Sequence, residues 1–324
     1  MTADKPLASV SLDLDDQWTY LRTRGDPGWE TAPSYIPTFV PLALDLFDEL
    51  DLRITMFVVG ADAVRTANMP YLRAIAERGH EIGNHSFSHE CWMHLHTATQ
   101  LEDEIARSEE AILDASGQRP RGFRGPGFSW SPELLEVLGR REYLYDASTL
   151  PTFLGPVARW YFLARSGLSP EERRRRGALY GTFRDGLRPL RPYRWQLRSG
   201  SHLLEIPITT FPLIRLPFHM SYLLYLGGIS HSLMLAYLRC AIRACRVMGV
   251  QPSFLLHPLD FLGLEQAPRL SFFPGMAMSG ERKRNLVVRA LQVLGESFRL
   301  VPMEHHADAI RAAAQLPERV LAYA

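Results

Sequence analysis

The sequence predicts an α/β protein built on a parallel sheet, and three observations lead there. Strand-like runs alternate with helical ones at the pitch of βαβ units. The run Arg53–Gly60 is almost continuously apolar, as a strand buried on both faces should be. Residues capable of chemistry recur just past predicted strand ends, which is where the ligand crevice of a parallel sheet forms.

In order, Leu7–Leu14 reads as a strand ending among Asp13, Asp15 and Asp16. Gln17–Pro37, rich in Pro, Gly and aromatic residues, reads as a loop long enough to serve as a lid. Thr38–Leu50 is helical in period, Arg53–Gly60 is the second strand, and Ala61–Arg78 is a helix stopped by Gly79. His80–Ile82 forms a third strand running into His85 and His89. Thr97 caps an amphipathic helix that ends at Gly117. Short strands follow at Gly122–Arg124 and Tyr143–Asp146, separated by a helix starting at Ser131-Pro132. After a long irregular stretch come a strand at Ser253–Leu256, a helix over Ser279–Leu294 and a last strand at Phe298–Val301.

Composition narrows the class. The chain has 324 residues, 46% hydrophobic and 22% charged, with a formal net charge of +1. That balance leaves no basic footprint for a nucleic-acid partner. Cys91, Cys240 and Cys245 have no spacing suited to zinc or redox chemistry, and an odd number argues against a disulfide framework. Met1–Pro6 is polar, with neither an apolar core nor a cleavage site of a secretory signal, so the expectation is a cytosolic protein.

The candidate chemistry centres on His85-Ser86-Phe87-Ser88-His89. Histidines at i and i+4 share one face of a helical turn and can grip one divalent ion. Asp15, Asp16, Arg124, Asp146 and His257 all fall at other predicted strand ends, and in a closed barrel these ends converge on one mouth. His80 reads as structural, and His94, His96, His305 and His306 as surface residues. Trp18 and Trp130 follow the acidic and arginine motifs closely enough to stack on a sugar, although core packing explains them equally well.

With these residues assembled, the chain resembles the polysaccharide deacetylases of carbohydrate esterase family four. Five short motifs occur in order: Asp13-Leu14-Asp15-Asp16-Gln17, His85-Ser86-Phe87-Ser88-His89, Arg124-Gly125-Pro126-Gly127, Asp146-Ala147-Ser148 and Leu255-Leu256-His257. The resemblance implies a distorted (β/α) barrel, here one catalytic domain over residues 1–324 with a long insertion at 151–250, and metal-dependent amide hydrolysis. It places a divalent ion, zinc first and cobalt, nickel or manganese as alternatives, on Asp16, His85 and His89. Asp15 becomes the general base oriented by Arg124. His257 becomes the general acid, supported by Asp146, and the Gly127 N–H faces the oxyanion. Three departures matter. Gln17 stands where the family has glycine, and Asp13 adds a third carboxylate, which leaves the roles of Asp13 and Asp15 open to exchange. Gly127 replaces a tyrosine.

The substrate expected is a carbohydrate, an N-acetyl or N-formyl amino sugar carried on a lipid or nucleotide. Competing readings are hydrolysis of a small cyclic ureide and a non-catalytic glycan- or membrane-binding module. Leu216–Leu238 contains no Asp, Glu, Lys or Arg, yet Pro217 and Gly227-Gly228 favour a buried or interfacial segment over a membrane span. Aromatic and apolar residues in Phe211–Leu226, together with arginines at 173–176, 184, 188, 191 and 194, suggest peripheral contact with an anionic membrane.

Overall fold

The computed structural model describes residues 5–164, 166, 168–175, 181–313 and 315–321. Met1–Asp4 of the N-terminal reading and Arg176 of the arginine run lie outside them.

Ten strands form one sheet: β1 (Leu7–Leu14), β2 (Thr55–Val58), β3 (Glu81–Asn84), β4 (Gly122–Phe123), β5 (Tyr145–Asp146), β6 (Tyr193–Gln196), β7 (His202–Glu205), β8 (Ser253–Leu256), β9 (Arg299–Val301) and β10 (Glu318–Val320). The order is β10-β6-β7-β5-β4-β3-β2-β1-β8, with β9 also on β1. Every ladder is parallel except β6–β7. Among the described residues no ladder joins β8 to β10. The α/β class with a mostly parallel sheet is the one the sequence predicts.

β1 is the centre of the molecule. Its lower half pairs with β9, its upper half with β2, and its other edge with β8. It is buried from Ala8 onward. Helices Ile36–Glu49 and Gly280–Ser297 supply Phe39, Phe47, Val287 and Leu291 to the main core. Thr97 and Gln100 form a reciprocal capping box for helix Ala98–Ser116, and Gly117 ends it in the left-handed conformation, φ 77°.

Four local expectations change. The stretch read as one helix over Ala61–Arg78 is two, Gly60–Ala63 and Met69–Glu77. Pro70 cannot donate to residue 66, so a continuous helix is broken there and a new one starts. The Gln17–Pro37 loop opens with helix Gln17–Arg24, because the Asp16 carboxylate accepts from the Gln17 N–H as its cap. His306 is fully buried, bridging Ser9 Oγ and Gln251 Oε1, and is not a surface residue. Finally, Leu223 and Leu224 belong to the core, on helix Met220–Ile229. Part of the uncharged stretch is therefore interior packing, and no helix among the described residues is long and apolar enough to cross a membrane.

Candidate active site

The upper ends of β1, β3, β4 and β8 bring Asp13, Asp15, His85, His89, Arg124 and His257 together. Alternation along β1 sends Ser11, Asp13 and Asp15 to one side and Asp16 to the other. Asp15 Oδ1 lies 3.3 Å from His85 Nε2 and 2.9 Å from His89 Nε2. One ligand atom from each of the three falls within 4.8 Å of the others.

The histidine pair does not ride on a helix. Residues 85–90 form an irregular loop in which Ser86 (φ 62°) and His89 (φ 50°) are left-handed. Buried acceptors hold it. Glu104 accepts from the N–H groups of Phe87 and Ser88, Ser86 Oγ accepts from the His89 N–H, and Asn84 Oδ1 accepts from the Ser86 N–H. His85 Nδ1 donates to the Arg124 carbonyl at 2.6 Å, which fixes the tautomer and turns the Nε2 lone pair toward Asp15.

This donor set fits a divalent cation. His89 Nε2 and Asp15 Oδ1 are buried at 2.9 Å from each other without hydrogen-bond geometry, and neither has a hydrogen-bond partner. A buried carboxylate and two imidazoles converging with no hydrogen bonds between them are what three protein ligands around an open metal position require. Burial alone pushes the Asp15 carboxyl up, but His89 and His85 outweigh it and hold it well below the usual carboxylate range. Burial likewise works against charge on His85, and Asp13 and Asp15 overcome it, raising His85 above its ordinary value.

Asp16 stands apart from this cluster. Its Oδ1 accepts from the N–H groups of both Gln17 and Tyr35, so one carboxylate pins both ends of the 17–35 excursion. Its Oδ2 sits 3.7 Å from Arg65, which also lies 3.6 Å from buried Asp62. Burial raises both carboxyls, Asp62 further because of the charge on Asp16. Asp62 accepts from Trp18 Nε1 at 2.8 Å, which sets the Trp18 ring edge-on to His89 and beside Trp29. The geometry thus groups Asp15, and not Asp16, with the two histidines, because Asp16 lies on the opposite face of β1 from Asp13 and Asp15.

Arg124 is fully buried and pairs with Asp13 rather than Asp15. Its Nη1 donates to Asp13 Oδ1 at 2.7 Å and to Ser11 Oγ at 2.8 Å, its Nε to the Ala147 carbonyl, and the guanidinium lies over the Phe57 ring. That ring occupies the space a side chain at Gly83 would need, since a Cβ there would stand 2.4 Å from it. The other Asp13 oxygen is 4.0 Å from His85 Nε2 and 3.9 Å from His257 Nε2. Gly127 follows at φ 58° with Cys91 against it, so a side chain there meets both backbone strain and Cys91.

His257 takes its support from residues the motifs do not contain. Ser221 Oγ donates to Asp260 Oδ1 at 2.7 Å and lies 3.1 Å from His257 Nδ1, so Nδ1 is the donor in that contact and Nε2 faces Asp13. Asp260 also accepts from the His257 N–H at 2.8 Å. Buried Lys283 clamps the same turn through the carbonyls of Leu259 and Leu262, and burial lowers it to about 8.

Asp146 does not reach His257. It accepts from Ser148 Oγ at 2.6 Å, and Ser148 Oγ in turn accepts from the Gly125 N–H. Burial, and then the charge of Asp146, push Glu205 well above the ordinary carboxyl range, and burial raises Asp146, which through Ser148 braces the loop after Arg124. Trp130 is stacked on Trp195 at 5.3 Å and covered by Arg188, which accounts for it as packing.

Sequence reasoning missed Ser221, Asp260, Asp62 and Glu205. An acid three residues after His257 is a local capping signal. Ser221, Asp62 and Glu205 act across more than thirty residues and leave no local trace.

Known proteins resemble parts of this chain. Residues 5–145 match the sequence profile of the family described as Polysaccharide deacetylase. The chain is similar to a peptidoglycan deacetylase of Helicobacter pylori, 30% identical over 155 residues that cover 46% of this chain and 51% of that protein. It is also similar to a chitooligosaccharide deacetylase of a Bradyrhizobium strain, 32% identical over 31% of this chain and 44% of that protein. The chain thus spans about half or less of the length of these curated relatives. A solved structure from Mycobacterium smegmatis, provisionally described as a polysaccharide deacetylase, covers 100% of this chain and 97% of its own at a TM-score of 0.64 and 19% identity, a likeness of fold. The residues matched by that profile, 5–145, hold the β1 carboxylates, the histidine pair and Arg124.

Proposed function

We propose that the protein is a metal-dependent hydrolase that removes an N-acyl group, acetyl or formyl, from an amino sugar carried on a lipid or nucleotide. One observation carries this reading. Asp13 and His257, from adjacent strands, flank the Asp15–His85–His89 donor set, with Asp13 Oδ2 3.9 Å from His257 Nε2 and 4.0 Å from His85 Nε2. Amide hydrolysis requires a base for water and an acid for the leaving amine on either side of one electrophilic centre.

Asp15, His85 and His89 would hold the ion, zinc by preference for a mixed imidazole and carboxylate set. When bound, it supplies Lewis acidity to the acyl oxygen and to water. Asp13, paired with Arg124, takes the proton of the attacking water as the new carbon–oxygen bond forms. His257 delivers a proton from Nε2 to the sugar nitrogen as the carbon–nitrogen bond breaks, leaving a carboxylic acid and a free amine. Ser221 and Asp260 hold the imidazole in that orientation from behind. Buried Trp18 borders His89, and half-buried Trp29 beside it offers an aromatic face for a sugar ring.

The test is release of acetate or formate from N-acylated amino sugars presented free, nucleotide-linked and polyprenyl-linked. Turnover that is abolished by chelation and restored by zinc supports the reading. A zinc-reconstituted protein that releases no acid from any of the three contradicts it.

A further inference from the structure

Residues 151–250 contain fifteen arginines, no lysine and four acidic residues, a net charge of +11, so the rest of a chain whose total is +1 carries −10. The same stretch holds twelve of the seventeen large apolar side chains that stand exposed among the described residues. Charge and apolar surface are thus concentrated together, on the part of the molecule that the catalytic cluster draws on least.

Three segments of this stretch are tied to one another. Thr152 Oγ1 donates to the Arg215 carbonyl at 2.8 Å, Arg215 Nη1 to the Arg188 carbonyl at 3.0 Å, and Arg159 Nη1 to the Gly181 carbonyl at 2.8 Å. The Phe153 ring lies directly on Gly186. Helix Gly155–Ala164, the turn Phe183–Leu187 and the corner at 211–215 are therefore neighbours, and each offers apolar tips to solvent: Trp160 is 71% exposed, Phe183 62%, Leu187 74% and Leu213 71%. Beside Leu187 opens a groove of about 260 Å³, lined in part by Arg184, Arg188, Arg319 and Val320. Arg188 is paired with Asp185, whereas Arg184 and Arg319 have no acidic partner among the described residues.

We infer that this surface docks on an anionic lipid bilayer, with Trp160, Phe183, Leu187 and Leu213 entering the headgroup region and Arg184 and Arg319 meeting lipid phosphates. Apolar tips on separate loops with unpaired arginines between them match the layered chemistry of a bilayer surface, where apolar burial and charge attraction add. A folded partner would instead call for one continuous apolar face with a polar rim. The inference stands apart from the hydrolytic reading, since it uses none of that site's residues.

The experiment is co-sedimentation of the full chain with vesicles of phosphatidylcholine alone or mixed equally with phosphatidylglycerol. The protein should pellet only with the anionic vesicles at low salt and leave them at high salt. Phe183→Ser with Leu187→Ser should lower partitioning about tenfold or more, and Arg184→Gln with Arg319→Gln by a similar factor, with unchanged thermal unfolding. Indifference to anionic vesicles, or binding that neither double variant weakens, overturns the inference. So does a wild-type dimer that Phe183→Ser with Leu187→Ser dissolves, which would make the surface a contact between copies.

Discussion

The half of the molecule built from residues 5–146 and the stretch 151–250 use charge in opposite ways. In the first, the ionisable side chains around the site point inward and meet buried partners. Arg124 is fully buried against Asp13, Glu104 is spent on loop amides, and Asp15 is enclosed by two histidines. In the second, most arginines face solvent, and acids are too few to match them. Buried charge survives only where geometry satisfies it, so the first half is rigid and specific. Outward charge costs little to keep solvated. The contrast sets most of the buried chemistry in the first region and the proposed bilayer contact in the second.

The sharpest way to break it is at the inward charges. Asp13→Asn should keep the metal and lower kcat by about two to four orders of magnitude, read by acyl release at saturating substrate with metal content measured in parallel. Mild damage there would return the base to another carboxylate. Next comes Arg124→Met, which leaves Asp13 buried without its partner and should cost about 3–5 kcal/mol of stability in denaturant unfolding.

A smaller effect concerns the support behind His257. Ser221→Ala removes the contact between Nδ1 and Asp260 without touching substrate. It should reduce kcat roughly tenfold while KM stays nearly constant, because an orientation effect is felt in proton delivery. A rise in KM with unchanged kcat would make Ser221 a binding residue.

The smallest expected effect is on pH-dependent stability. Burial lowers His306 to about 4, below its ordinary 6.5, so the unfolded chain binds the extra proton between those values. Stability is complete above about pH 6.5 and declines as pH falls toward 4, by on the order of 1–3 kcal/mol from this group. His306→Gln should flatten that part of the thermal-unfolding profile, and an unaltered slope would assign it to other groups.

Much of this was legible from sequence, and the reason differs by residue. The histidine pair, Arg124 and His257 each follow a strand directly, so local pattern sufficed to place them at one end of the sheet. The alternation of β1 also sets Asp13 and Asp15 on one face and Asp16 on the other, because strand side chains two apart share a face. Matching short motifs by letter instead read Asp16 as ligand and Asp15 as base, one and two places from the residues that the geometry groups with the histidines. Ser221 and Glu205 were beyond reach, since contacts across thirty to sixty residues depend on how the chain returns. Leu223 and Leu224 illustrate a different limit: an uncharged apolar run is equally suited to a core and to a lipid surface, and only packing against helix His231–Val247 and its neighbours decides.

The central claim is that β1 presents Asp13 as base and Asp15 as ligand while Asp16 is an anchor for the 17–35 segment. Zinc titration of Asp15→Asn and Asp16→Asn tests it most directly. The account predicts that Asp15→Asn loses zinc affinity by about a hundredfold or more, and that Asp16→Asn, which can still cap its helix, binds zinc like the parent. Tight binding by Asp15→Asn together with loss in Asp16→Asn would contradict it.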